Sequence, residues 1–133
     1  MGTTTIDGTG ITFPDATQQI SKVVRAIEHH TADDTLTDAE NGSVHTNLGV
    51  GGIIALYLPQ TVTKGTWFEF VVMTAYEFWV TPGAAGAIYI NGAKQADNKA
   101  IWADDEGESV KLVADGNGDW VAIGRVGTWT VEL

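Results

Sequence analysis

Three groups of side chains in this sequence have types and spacing that could do chemistry. Asp115-Gly116-Asn117-Gly118-Asp119 imitates the first three ligands of a calcium loop. Such a loop also needs Gly at its sixth position and Glu at its twelfth, where this chain has Trp120 and Val126. A Gly-rich hairpin turn accounts for the run. Asp104-Asp105-Glu106, with Glu108 two residues on, gathers carboxylates that could serve as an acid–base pair. That chemistry requires a cleft that drives two carboxyl pKa values apart, and neighbours in a Gly-containing turn read instead as a solvated loop. His29, His30 and His45 form neither an HExxH motif nor another spaced metal pair. One histidine from each of three chains could hold a metal on a threefold axis, but polar surface residues near a helix end are the simpler reading. Ser21, Ser43 and Ser109 lack the context of a nucleophile elbow. The glycines form no phosphate-binding loop, and cysteine is absent. The expectation is a protein with no catalytic, metal-binding or cofactor-binding residues.

Trp67, Trp79, Trp102, Trp120 and Trp129 raise a different possibility, since exposed indoles on a β-sandwich can stack on sugar rings. Large rings in strongly alternating strands usually fill the core. Trp67 and Trp102 are the two expected to face outward, towards a glycan or an oligomer interface.

The elements that would carry these residues are strands. Val and Ile together number 23 against 6 Leu, with 17 Thr and 16 Gly. Branching at Cβ suits a pleated surface better than a helix, and Gly serves tight turns. The net charge is −10, from 17 acidic and 7 basic residues with no basic cluster. That balance argues against binding nucleic acid or an anionic membrane. No apolar run is long enough to span a bilayer, and the start, Met1 to Thr5, has no signal-peptide character. Synthesis in a cytoplasm is expected.

Thr3 to Phe13 reads as an extended arm, ended by Pro14-Asp15. From Asp15 to His30 the spacing of Ile20, Val23, Val24 and Ile27 at i, i+3, i+4 and i+7 predicts a short helix. One narrow stripe is marginal alone, so this helix should pack on a core or on copies of itself, and its β-branched residues are compatible with a trimer. Asp38–Gly42 is a strong turn signal, predicting a hairpin between 34–38 and 43–46. Strands are predicted at 53–58, 66–73, 76–81, 87–91, 99–103, 109–114, 119–124 and 128–133. In these, Phe68/Phe70/Val72, Ile88/Ile90, Val110/Leu112/Ala114 and Trp129/Val131/Leu133 each share a face. The chain is therefore expected to be all-β. Residues 1–32 would form an N-terminal arm and short helix, and residues 33–133 an antiparallel β-sandwich resembling a jelly roll.

Gly10-Ile11-Thr12-Phe13-Pro14-Asp15-Ala16-Thr17-Gln18-Gln19 resembles the "ITFPDGTxQ" element of bacteriophage fibre and virion proteins, with Ala16 where Gly is usual. The run from Val44-His45-Thr46-Asn47 through Leu58-Pro59, Ile90-Asn91-Gly92 and Ser109–Gly116 to Gly127-Thr128-Trp129 is similar to such proteins as well. The resemblance implies a virion structural protein, made in the host cytoplasm. Its length fits a trimeric head decoration (cement) protein better than a whole fibre. On that reading Ile6, Ile11, Phe13 and Pro14 of the arm contact the major capsid protein, and Ile20, Val23, Val24 and Ile27 form the trimer interface. The alternative is a fibre tip or accessory adhesin that binds a host surface glycan through Trp67 or Trp102.

Overall fold

A computed structural model of the chain describes residues 24–133 and the backbone of three short strands before them: β1 (Thr5–Asp7), β2 (Gly10–Thr12) and β3 (Gln18–Gln19). These three pair in order as an antiparallel sheet, with Ile6 opposite Ile11 and Ile11 opposite Gln19.

From residue 24 onward the chain builds two mixed sheets. It does so by alternating between them. β4 (Ile27–His29) enters the larger sheet, β5 (Asp34–Thr35) the smaller, β6 (Val44–Thr46) the larger, and β7 (Ile54–Tyr57) the smaller. β8 (Trp67–Val71) and β9 (Phe78–Thr81) repeat the step. β10 (Ile88–Ile90) and β11 (Ala93–Lys94) form a hairpin in the larger sheet. β12 (Ile101–Ala103) returns to the smaller, β13 (Ser109–Ala114) and β14 (Trp120–Val126) to the larger, and β15 (Thr130–Val131) closes the smaller. The seven-stranded order is β11-β10-β14-β13-β8-β6-β4 and the five-stranded order is β15-β12-β9-β7-β5.

The alternation corrects the expected antiparallel sandwich. Because each crossing is itself a strand in the opposite layer, β4, β6 and β8 run parallel, as do β5, β7 and β9, and β10 runs parallel to β14. Parallel neighbours need a long connection, usually a helix; here the other sheet supplies it. Among the described strands, the hairpins and the β8–β13, β9–β12 and β12–β15 pairs are antiparallel. The predicted hairpin between 34–38 and 43–46 fails for the same reason. Its turn exists as a single 3₁₀ turn at Asp38–Glu40, but β5 pairs with β7 and β6 with β8.

The predicted helix from Asp15 to His30 is also overturned, since Gln18–Gln19 and Ile27–His29 are strands. The β-branched residues that made its stripe suit a pleated strand at least as well. β4 is then fixed by backbone bonds to β6, with His30 N donating to the Thr46 carbonyl at 2.8 Å and Val44 N to the Ala26 carbonyl at 2.9 Å.

The core lies between the two sheets. Phe68, Phe70, Val110, Leu112 and Trp120 from the larger sheet meet Leu56, Phe78, Val80 and Ile101 from the smaller, all essentially without exposed surface. Phe70 and Phe78 touch edge-on across the layers, with centroids 6.1 Å apart. The expected faces of β8, β10 and β13 hold. The last strand behaves differently. Trp129 is buried and its Nε1 donates to the Ser109 carbonyl at 2.8 Å, Val131 is half-buried, and Leu133 is exposed beyond the short edge strand. Asn91-Gly92 turns the β10–β11 hairpin with both residues at positive φ, as a two-residue turn of that sequence requires.

Candidate functional site

The first cluster that the fold assembles is one the sequence pattern does not show. His30 follows β4 and His45 lies at the centre of β6, on the inward side. Both are buried with their rings 5.1 Å apart, and His45 lies against Phe68 and Phe70. This corrects the reading of these histidines as surface residues. For His30 that reading followed from the predicted helix; His45 already stood in a predicted strand, and the pairing of β6 between β4 and β8 sends it into the core. His29 faces the other way, its Nδ1 2.6 Å from Thr46 Oγ1.

The distances fix where the protons sit. Ser43 Oγ lies 2.6 Å from the Glu40 carbonyl, which can only accept, so the hydroxyl hydrogen lies on that bond. Ser43 Oγ must then accept from His45 Nε2–H at 2.7 Å, which leaves His45 Nδ1 bare to accept from His30 Nε2–H at 2.9 Å. The chain ends at His30 Nδ1, 3.6 Å from Glu28 Oε1 and 3.7 Å from Asp34 Oδ2. Burial, and secondarily the neighbouring His30, lower the His45 pKa to about 4. Every buried side-chain nitrogen and oxygen among the described residues has a partner.

Two chemistries could be read into this cluster. A serine beside a histidine beside carboxylates has the membership of a nucleophilic triad. In a triad, however, the base accepts the serine proton; here Ser43 gives its proton to a backbone carbonyl and receives one from His45. Glu28, His30 and His45 also place one potential metal-ligand atom each within 4.8 Å of one another. Yet the facing nitrogens are 2.9 Å apart, whereas two imidazoles on one tetrahedral zinc would stand ~3.3 Å apart, given bonds of ~2.0–2.1 Å. The arrangement is that of a shared proton, joining β4 to β6.

The two acidic loops are structural. Asp115 Oδ1 accepts from the Asn117 and Asp119 amides, closing the turn between β13 and β14. Glu108 accepts from the amides of Asp104, Asp105 and Thr128, tying two loops together. The Thr66 hydroxyl, and secondarily Thr63, donate to the Asp38 carboxylate and hold its pKa below the usual range.

The residues expected to make contacts fall in several places. Ile6 and Ile11 lie on paired strands β1 and β2. Phe13, Pro14, Ile20 and Val23 lie outside the described residues. Val24 and Ile27 are 72% and 56% exposed, at the mouth of a groove of about 650 Å³ between residues 24–28 and 39–43. Trp67 is half-buried beneath two cations, with Arg25 Cζ 4.5 Å and Lys111 Nζ 4.0 Å from its ring centroid. Trp102 is half-buried on the outer side of the five-stranded sheet and stacks on Trp79 at 6.1 Å and 14°.

No protein-family model matches the chain, and comparison with curated proteins finds no relative.

Proposed function

We propose that this is a non-enzymatic virion structural protein: a trimeric decoration protein that binds an assembled phage head and stabilises it. The observation that carries the reading is at the β4 edge. Ile27 on β4 and Val24 just before it are β-branched and exposed beside a groove, and among the described residues no strand pairs with the outer edge of β4. Such an edge is a ready site for pairing with another chain. In sequence the edge follows the N-terminal segment that resembles the virion element; Val24 and Ile27 make the trimer contacts, and Ile6, Ile11, Phe13 and Pro14 contact the capsid. Binding only to the assembled shell then holds it closed by mass action. The expected result is a trimer in sedimentation equilibrium that adds to heads lacking it and raises their resistance to heat. A monomer that leaves such heads bare ends this proposal.

The Trp79–Trp102 stack favours a second reading, an adhesin for a host glycan. Parallel indoles on an outer sheet face offer a flat apolar platform for a sugar ring. Glycan-array signal abolished by Trp102→Ala, with the fold retained, is the expected result on this reading; an array without signal ends it.

A further inference from the structure

Asparagine followed by glycine is chemically unstable as well as turn-forming. Glycine has no side chain to shield its amide nitrogen, which can attack the carbonyl carbon of the preceding asparagine side chain. The chain has five asparagines, and three of them precede glycine: Asn41, Asn91 and Asn117. All three are exposed. The reaction requires the side chain and the glycine N–H to leave their partners and approach one another. The fold treats the three pairs differently.

Asn41-Gly42 is held at both reacting groups. Asn41 Oδ1 accepts from Trp67 N at 2.9 Å, and Gly42 N donates to the Trp67 carbonyl at 2.8 Å. Asn91-Gly92 is held at one. Asn91 Nδ2 donates to the Trp129 carbonyl at 3.4 Å, and the pairing of Ile90 with Ala93 fixes both residues in the hairpin turn at positive φ. Asn117-Gly118, between β13 and β14, is held at neither. Asp115 Oδ1 accepts from Asn117 N at 2.7 Å and from Asp119 N at 3.1 Å, so the loop is closed by the amides on either side of Gly118. Among the described residues nothing bonds the Asn117 side chain or the Gly118 N–H.

We infer that Asn117 is a site of self-modification, converted to aspartate and isoaspartate in the folded protein ahead of Asn91 and Asn41. Hydroxide takes the Gly118 N–H proton, and the nitrogen bonds to Asn117 Cγ. The Cγ–Nδ2 bond then breaks, Nδ2 leaves as ammonia, and a cyclic succinimide closes. Water opens the ring at one of its two carbonyls. Addition at Cγ gives aspartate; addition at the Asn117 backbone carbonyl gives isoaspartate, whose main chain runs through the former side chain. The sum is an amide and water going to a carboxylate and ammonium, with no oxidant, metal or enzyme. The product sets a third carboxylate between Asp115 and Asp119, on a chain already at −10. This chemistry holds whatever the protein binds.

The test is incubation of the full chain in mildly alkaline buffer, native and in urea, followed over time by peptide mapping. Conversion adds about 1 Da to the peptide that holds the site, and isoaspartate separates from aspartate on chromatography. In urea the three pairs should react at similar rates, since each has the same glycine neighbour. In the native chain Asn117 should stay within about threefold of its unfolded rate, while the two bonds at Asn41 slow that site by about tenfold or more. Asn117→Ala should remove the leading product of the native chain, with circular dichroism unchanged and conversion at Asn91 and Asn41 as before. Native Asn117 that reacts no faster than Asn41 or Asn91 overturns the inference. A native chain that stays unmodified while the unfolded chain converts overturns it too.

Discussion

Lowering the pH from 7 to 4 will remove about 3 kcal/mol of folding stability through one side chain, His45. Its pKa falls from an ordinary 6.5 to about 4 in the fold, so between these values the unfolded chain binds a proton that the native chain refuses. Stability therefore rises with pH across this window. The full contribution is present above 6.5 and is lost as pH falls through about 4, at about 1.4 kcal/mol per unit of pKa difference. The physical cause is visible in the hydrogen bonds. His45 is wedged between Phe68 and Phe70, gives its one proton to Ser43, and uses its bare Nδ1 to accept from His30. A second proton on His45 would sit against the His30 N–H. The carboxylates of Glu28 and Asp34 lie on the far side of His30, away from the His45 ring. A net charge of −10 works in the opposite direction, since acid relieves self-repulsion. The His45 contribution is therefore read as a difference. His45→Gln should be less stable than wild type at pH 7 by about 1–2 kcal/mol, because one imidazole contact is lost. The variant lacks the acid penalty, so the two stability curves from urea unfolding should cross between pH 6 and pH 4. Parallel curves over that range would refute the assignment.

That histidine pair also shows where the sequence stops being informative. Alternation in Phe68/Phe70, Ile88/Ile90 and Val110/Leu112/Ala114 was enough to place most of the core, because each strand exposes one face and buries the other. The Asn91-Gly92 and Asp115–Asp119 turns were legible because their backbone geometry selects those residues. What alternation cannot carry is which strand lies beside which. Short strands with Gly-rich turns suggest hairpins, yet β4 to β9 switch layers at every step, and nothing in Asp38–Gly42 distinguishes a turn back from a crossing. Once β4 and β6 are neighbours, His30 and His45 meet; with His30 read as a helix end and His45 in a separate hairpin, nothing brings them together. The stripe Ile20/Val23/Val24/Ile27 misled because β-branched residues suit a strand at least as well as a helix, and Ile27 lies in β4.

Asn47→Ala should cost about 4 kcal/mol, lowering the midpoint of thermal unfolding by roughly 15 °C for a domain of this size. Asn47 follows β6 and has no exposed surface. Its Oδ1 accepts from the amides of Met73 and Thr74 at 2.8 and 3.0 Å, and its Nδ2 donates to the carbonyls of Thr74 and Tyr76 at 2.8 and 3.2 Å. One side chain thus satisfies four backbone groups in the loop between β8 and β9, where the chain leaves the larger sheet for the smaller. Truncation would orphan three of them at once, the Thr74 carbonyl still accepting from Tyr76 N at 2.7 Å, and an unpaired buried backbone group costs roughly 1–3 kcal/mol. Water entering beside exposed Met73 and Tyr76 would recover part of this, which sets the estimate below the full sum. Asn47→Asp separates the two halves of the interaction. It keeps acceptors for both amides but turns a carboxylate oxygen towards two carbonyls, so it should be at least as damaging at pH 7. Mild acid should restore some stability relative to wild type, since a protonated carboxyl donates to one carbonyl. If Asn47→Ala unfolds within 3 °C of wild type, the loop is held by something other than this amide. Amide hydrogen exchange separates local from global effects: faster exchange at Met73 and Thr74 is expected in both variants, ahead of any change at Leu112 in the centre of β13.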